Sequence, residues 1–176
     1  AGAVFAENQA LKWLIDIAGL PTTAGGVFVQ GGTMGNLSAL VVARDQARKT
    51  HPDTQRWVIA CSAESHSSIT SAAHVMDVDV LKIATDANGK LQGEAVGAAI
   101  DDLHKSSKVR VFAVVATSGT TNLGIIDNLE SIGKAAHDRG IWFHVDGAYG
   151  LAALCAPSVR PLFKGVEAAD SFIVDP

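Results

Sequence analysis

Cysteine is nearly missing from this sequence: Cys61 and Cys155 are the two in 176 residues. Neither sits at metal-ligand spacing, and two cysteines cannot build the disulfide framework of a small secreted domain. Charge is sparse as well, at 18% of residues, and 14 basic against 18 acidic side chains leave a net −4. Without a basic run there is no electrostatic footprint for nucleic acid or an anionic membrane surface. Long apolar runs are also lacking. Val111 to Ala116 is the longest strong candidate, far short of the roughly 20 residues that span a bilayer. Ala1-Gly2-Ala3 follows no charged leader, so no secretory signal is expected and a reducing, cytoplasmic setting is the natural reading. What is plentiful is apolar side chain, 48% of the total, enough at this length for one α/β domain with a sizeable core.

β-rich runs alternate with helical patterns along the chain, and no internal repeat interrupts them. Glu7 to Ile17 reads as a helix with Leu11, Leu14 and Ile15 on one side. Val27-Phe28-Val29 reads as a strand leading into the turn Gly31-Gly32-Thr33-Met34-Gly35, and a helix follows with Leu37, Leu40 and Val41 at i, i+3, i+4. Further strands are expected at Trp57 to Ala60, Val80 to Ile83, Val109 to Ala116, Ile141 to Val145 and Ser171 to Val174. Between them, Val96, Ala99, Ile100 and Leu103 share one helical face, and so do Leu129, Ile132, Gly133 and Ala136. Asp127 followed by Glu130 resembles a capping box for the second of these helices. This alternation implies a mainly parallel sheet with helices on both faces. Ligands in such folds gather beyond the carboxyl ends of the strands. The chemistry is therefore sought in the residues that follow each strand.

Four segments answer to that position. The glycine-rich turn Gly31 to Asn36 opens a helix, where small residues and free amides suit a phosphate. It lacks the dinucleotide spacing, because Thr33 and Asn36 stand where glycines belong, and no Lys-Ser or Lys-Thr pair makes it a nucleotide loop. A tight ligand-free connection accounts for the turn equally well. In His144-Val145-Asp146-Gly147-Ala148-Tyr149 a carboxylate ends a buried strand and needs a cationic partner, such as a protonated pyridine nitrogen. His144 and Asp146 lie on the same side of the strand, so a metal pair must be weighed, but no third ligand is recognisable. An Asp that caps the next loop is the plain alternative. His66, in a Ser-rich turn, is by itself more often a cap than a catalyst, and Thr117-Ser118-Gly119-Thr120-Thr121 offers hydroxyls that ordinary turns also use.

Taken in order, Gly-Gly-Thr-x-x-Asn, His-Ser-Ser, Ser-Gly-Thr-Thr, His-Val-Asp-x-Ala-Tyr and Ala-Asp-Ser-Phe-x-x-Asp-Pro resemble the group II decarboxylases that depend on pyridoxal 5'-phosphate (PLP). These include aromatic amino-acid, glutamate and cysteine-sulfinate decarboxylases. The similarity runs from about Glu7 to Pro176. It implies the aspartate-aminotransferase type of large domain, a three-layer α/β/α fold with a mostly parallel seven-stranded sheet. It also implies decarboxylation of an L-amino acid to the amine and carbon dioxide, by a homodimer with its active site at the subunit interface.

By the same resemblance, Thr33 and Met34 place donors on the cofactor phosphate, with Ser171 assisting. His66 stacks on the pyridine ring near the substrate carboxylate, Thr121 lies beside the ring, and Ala148 packs against it. Asp146 pairs with the pyridine nitrogen, and Asp175 neighbours the lysine that makes a Schiff base with PLP. His66 and Asp146 carry the catalytic roles, and no metal is implied. Met34-Gly35 departs from the small or acidic residues common in that loop, which leaves backbone contacts as the firmer expectation there. The family continues Asp-Pro-His-Lys where this sequence reads Asp175-Pro176. Residues 1–176 are thus expected to be a piece of the large domain, lacking that lysine and the C-terminal small domain, and to be inactive alone. Lys164, ahead of the last strand, is a poor substitute. An aminotransferase, a desulfurase or an aldolase of the same fold, or a non-catalytic PLP-binding relative, are the competing readings; a nicotinamide domain fits the glycine spacing poorly.

Overall fold

In the computed structural model, which describes residues 2–105 and 108–175, five parallel strands form one sheet in the order β2-β1-β3-β4-β5. The elements run α1 (Gly2–Ala18), α2 (Gly32–Thr50), β1 (Arg56–Ser62), α3 (Ser67–Met76), β2 (Asp79–Ile83), α4 (Gly93–Leu103), β3 (Val109–Thr117), α5 (Leu129–His137), β4 (Trp142–Asp146) and β5 (Ser171–Ile173). Three short 3₁₀ turns connect β4 to β5. The central strands are buried on both faces, which is why their sequences read as unbroken apolar runs instead of alternating ones.

Each face of the sheet feeds its own core. Val58, Ala60, Val114, Ala116, Phe143 and Val145 pack with Val96, Ile100, Leu129 and Ile132 of α4 and α5. On the opposite face, Trp57, Ile59, Cys61 and Val115 pack with Leu40 and Ala43 of α2 and with Ile69, Ala72, Ala73 and Met76 of α3. The spacing of those four α3 residues, i, i+3, i+4 and i+7, is an apolar helical stripe, although the Ser-rich segment that opens α3 reads more readily as a turn. Val58 pairs with Val111 but Ile59 pairs with Ala113, so Phe112 is an extra residue in β3, a bulge. Phe112 and Ala113 thereby both join the α2–α3 side. Trp57 meets the Phe112 ring edge-on, with centroids 6.2 Å apart and planes at 79°.

The structure corrects three expectations. The sheet has five strands among the described residues where the resemblance implied seven. Val27-Phe28-Val29 joins no strand: Val27 and Phe28 are exposed, and the Phe28 N–H donates to the Glu7 carboxylate instead of a ladder. The third correction concerns α5, whose N-cap is Asn128, its side chain accepting from the Ser131 N–H at 3.2 Å. Asp127 is withdrawn into the core, 3% exposed, where it accepts from Leu91 N–H at 2.8 Å and Thr117 N–H at 2.7 Å. A side chain that ties two loops together is not free to cap a helix. Pro176 and Ala1 lie outside the described residues.

The core depends on complete side chains at the layer contacts. Ile132, fully buried between α5 and the sheet, is a suitable probe: Ile132→Ala is expected to cost about 2–5 kcal/mol. It would be read as a lower urea midpoint with an unchanged slope.

Candidate functional site

The carboxyl ends of β1, β3, β4 and β5 and the N-terminus of α2 converge on one pocket. Gly32, Thr33, Asn36, His66, Ser68, Thr117, Gly119, Thr121, Asp146, Ala148, Tyr149 and Asp175 line it. The strand order explains the place: β1 leads outward to β2 on one side and to β3 on the other, and a crevice opens where the winding reverses. Its volume is about 210 Å³, below the roughly 300–1,000 Å³ of an ordinary small-molecule site, so these residues make a floor and not a closed chamber.

The glycine turn enters this floor because nothing larger fits. Gly31 has φ 80°, and a Cβ on Gly35 would stand 2.8 Å from Ile173 Cγ2. No side chain caps α2. The amides of Gly32 and Thr33 precede the first intrahelical bond and have no acceptor among the described residues. They form an anion-friendly corner beside the pocket.

Asp146 ends β4 and is 5% exposed. One carboxylate oxygen accepts from Asn36 Nδ2 at 2.9 Å, and the other accepts from the Ala148 N–H at 3.3 Å. No lysine or arginine lines the pocket. His144, two residues back, is fully buried, and that burial pushes its pKa down to about 4 against the raising effect of Asp146. It is neutral at physiological pH. A carboxylate surrounded by neutral donors lacks a countercharge.

His66 caps α3: its Nδ1 accepts the Ser68 N–H at 3.2 Å and lies 2.9 Å from Ser68 Oγ. The rest of its ring is exposed at the pocket edge. Thr117, at the end of β3, is held by Asp127, and its buried hydroxyl has no partner although the residue lines the pocket. Beyond it the chain turns at Gly119, φ 103°, where a Cβ would stand 2.9 Å from Gly150 Cα. Thr121 is thereby brought to the mouth.

Six of the eight residues expected from the sequence therefore meet at one place: Thr33, His66, Thr121, Asp146, Ala148 and Asp175. Two do not line it. Met34 is exposed on α2, and Ser171 Oγ is engaged by Trp142 Nε1 and His144 Nδ1, each at 2.8 Å. With Asn36 taking its Nε2 at 2.8 Å, His144 has neither ring nitrogen left for a metal. Gly32, Asn36, Ser68, Thr117, Gly119 and Tyr149 complete the lining without having been assigned an individual role from sequence. Gly32, Asn36, Ser68, Gly119 and Tyr149 belong to the motifs that carried the resemblance, so their positions were a usable signal. Thr117 looks like an ordinary turn residue.

Known proteins bear on this geometry. A family model described as the pyridoxal-dependent decarboxylase conserved domain matches residues 3–176. The aromatic-L-amino-acid decarboxylase of Bacillus atrophaeus is 34% identical over 100% of this chain and 37% of its own length. The L-2,4-diaminobutyrate decarboxylase of Rhizobium meliloti is 37% identical over 98% of this chain and 35% of its own. Among solved structures, Oryza sativa TDC with PLP and tryptamine superposes with a TM-score of 0.90 at 28% identity, covering 98% of this chain and 38% of that one. The chain thus spans little more than a third of the length of these relatives. PLP suits the residues present: the carboxylate without countercharge faces the same pocket as the open amides of the glycine turn, as a pyridinium with a phosphate tail requires.

Two buried groups set opposing pH dependences. Burial pushes the Asp127 carboxyl up to about 6, against its two backbone N–H donors. Its folded pKa lies above the unfolded 3.8, so its stabilisation is complete below that value and is lost as pH rises through about 6. His144 has the opposite sign: its folded pKa lies below 6.5, and stability is lost as pH falls from 6.5 towards 4. Asp127→Asn should therefore gain stability more steeply than the parent between pH 4 and 6, measured as urea midpoints across that range. Equal slopes would contradict the assignment.

Proposed function

Because the chain belongs to the pyridoxal-dependent decarboxylase family, we propose that the full-length protein removes the α-carboxylate of an L-amino acid as carbon dioxide and releases the amine. The observation that carries this reading is the buried Asp146 carboxylate, which has neutral donors on both oxygens and shares a pocket with the glycine turn. When bound, PLP supplies an electron sink for the pair left on the substrate Cα after carbon dioxide departs.

The chain's own groups hold and tune that chemistry. Asp146 would hold the pyridine nitrogen of the cofactor, and its charge would favour the protonated form of that nitrogen at neutral pH. The Gly32 and Thr33 amides, with the α2 dipole behind them, receive the phosphate. Ala148 and Thr121 bound the ring position. His66, at the pocket edge, would lie against the cofactor ring and help to orient the substrate carboxylate. Met34 contributes no open amide, because its N–H donates to the Gly31 carbonyl at 3.1 Å; Asp175 borders the pocket after β5, and Ser171 acts at a distance through His144.

The same reading takes the protein as a cytoplasmic homodimer in which a second subunit closes the shallow floor. Supporting it are exposed apolar side chains, Tyr149 in the pocket lining and Leu123, Val27 and Phe28 elsewhere on the surface. Both cysteines are free, in keeping with a reducing compartment. No helix among the described residues is long and apolar enough to cross a membrane.

The test uses the full-length protein with PLP and a panel of aromatic, acidic and basic L-amino acids labelled at the carboxyl carbon. Labelled carbon dioxide with an equal amount of amine is expected; a keto acid in place of the amine would identify an aminotransferase instead. Asp146→Ala should lower kcat/KM by roughly 10²-fold or more, the size of loss seen when one preorganised electrostatic contact is removed.

A further inference from the structure

Behind the pocket wall runs a chain of side-chain hydrogen bonds whose direction can be worked out atom by atom. Asp146 can only accept, so the Asn36 atom 2.9 Å from it is the amide nitrogen. The same nitrogen lies 2.9 Å from Ser68 Oγ and donates its second hydrogen there. Asn36 Oδ1 then faces His144 Nε2 at 2.8 Å, and that nitrogen must carry a proton. A neutral imidazole with Nε2–H has a bare Nδ1, so Ser171 Oγ, 2.8 Å away, donates to it. Trp142 Nε1, which can only donate, supplies Ser171 Oγ in turn at 2.8 Å. On the other branch, the Ser68 hydroxyl accepts from Asn36 and so donates to His66 Nδ1. That nitrogen also accepts the Ser68 N–H. The proton of a neutral His66 is left on Nε2.

Resting on the PLP reading of the site, we propose that Asn36 is its positioning residue. As the branch point of a one-way donor chain from Trp142, it orients the Asp146 carboxylate and, through the Ser68 hydroxyl, joins the Ser68 N–H in holding His66 as its Nε2–H tautomer. Every member of the chain is satisfied, and reversal at any link sets donor against donor or acceptor against acceptor. Asn36 is 1% exposed, His144 0% and Ser68 2%, so none of these three, if reversed, could turn to water for compensation. Three strand or helix elements meet at this amide: α2 carries it, β4 carries Asp146 and His144, and α3 carries Ser68. Asp175 and Tyr149 are the other titratable side chains lining the pocket; neither hydrogen-bonds to a member of the chain.

The consequence is specific to the amide. Asn36→Asp places a second carboxylate oxygen against Asp146, and two such groups cannot both stay ionised. Asn36→Leu keeps much of the volume but strips a donor from Asp146 and an acceptor from His144. Ser68→Ala removes the hydroxyl link between Asn36 and His66 and leaves the Ser68 N–H on Nδ1, at a helix start that tolerates alanine.

The experiment is ¹⁵N NMR of histidine-labelled full-length protein at pH 7, without cofactor, together with titration of each variant with PLP. His144 and His66 of the parent should both show the neutral Nε2–H pattern. Ser68→Ala should move the His66 Nδ1 signal and leave His144 in place. Asn36→Asp should move both and weaken PLP binding by about tenfold or more, the equivalent of one pKa unit or more of differential interaction. An Nδ1–H or charged His144 in the parent overturns the proposal even if the Asn36 variants do not fold. So does parental PLP affinity in a folded Asn36→Asp. Correct tautomers in a protein that fails to bind PLP would leave the chain of bonds standing and remove the cofactor reading instead.

Discussion

A carboxylate withdrawn from water at the end of β4, with neutral donors around it, is the constraint on which the rest of this structure turns. Asp146 cannot be solvated by bulk water and finds no lysine or arginine in its pocket. Its two oxygens are met by the Asn36 amide and the Ala148 N–H, neutral donors that leave its charge without a cationic partner in the pocket. The surrounding elements are arranged accordingly. α2 begins with bare amides beside the same pocket, and α3 begins with an imidazole that caps its own helix while lining the cavity. The loop after β3 is bent by Gly119 so that Thr121 reaches the mouth.

The two-faced core is what allows such precision. With α4 and α5 on one side and α2 and α3 on the other, the central strands are fixed along their length, and their ends become rigid mounts. Two devices refine the ends. The Phe112 bulge shifts the register of β3 against β1 by one residue before Thr117 is reached. Asp127 then takes the Thr117 and Leu91 amides together, locking the exit of β3 to the loop ahead of α4. A carboxylate used in this way costs desolvation, and its raised pKa records that cost. What is gained is a fixed origin for the loop that carries Gly119 and Thr121.

Much of the architecture was legible because both signals it depends on are local. Buried parallel strands read as apolar runs, so β1, β3 and β4 were located to within a residue or two, and the periodic faces of α4 and α5 match the observed core. The failures are equally local in cause. Val27-Phe28-Val29 has the composition of a strand but no neighbour to pair with, and composition carries no information about neighbours. Asp127 and Glu130 have the spacing of a capping box, yet long-range amides claim Asp127 and Asn128 takes the cap. The Ser-rich opening of α3 masks a helix whose apolar stripe begins only at Ile69.

For the site, residue types and their order after successive strands already marked the chemistry: a phosphate-friendly turn, an imidazole, a hydroxyl loop and a terminal carboxylate, in the sequence of one family's motifs. That much follows from the chain alone, because strand ends in a parallel sheet all point to the same edge. Only the tertiary structure decided which of these side chains face the pocket and which are consumed behind it. Ser171 and His144 are held in the wall by partners far away in sequence, while Asn36, one turn into α2, becomes the link between them and Asp146. Hydrogen-bond direction depends on which donor meets which acceptor across three elements, and no stretch of sequence contains that pairing.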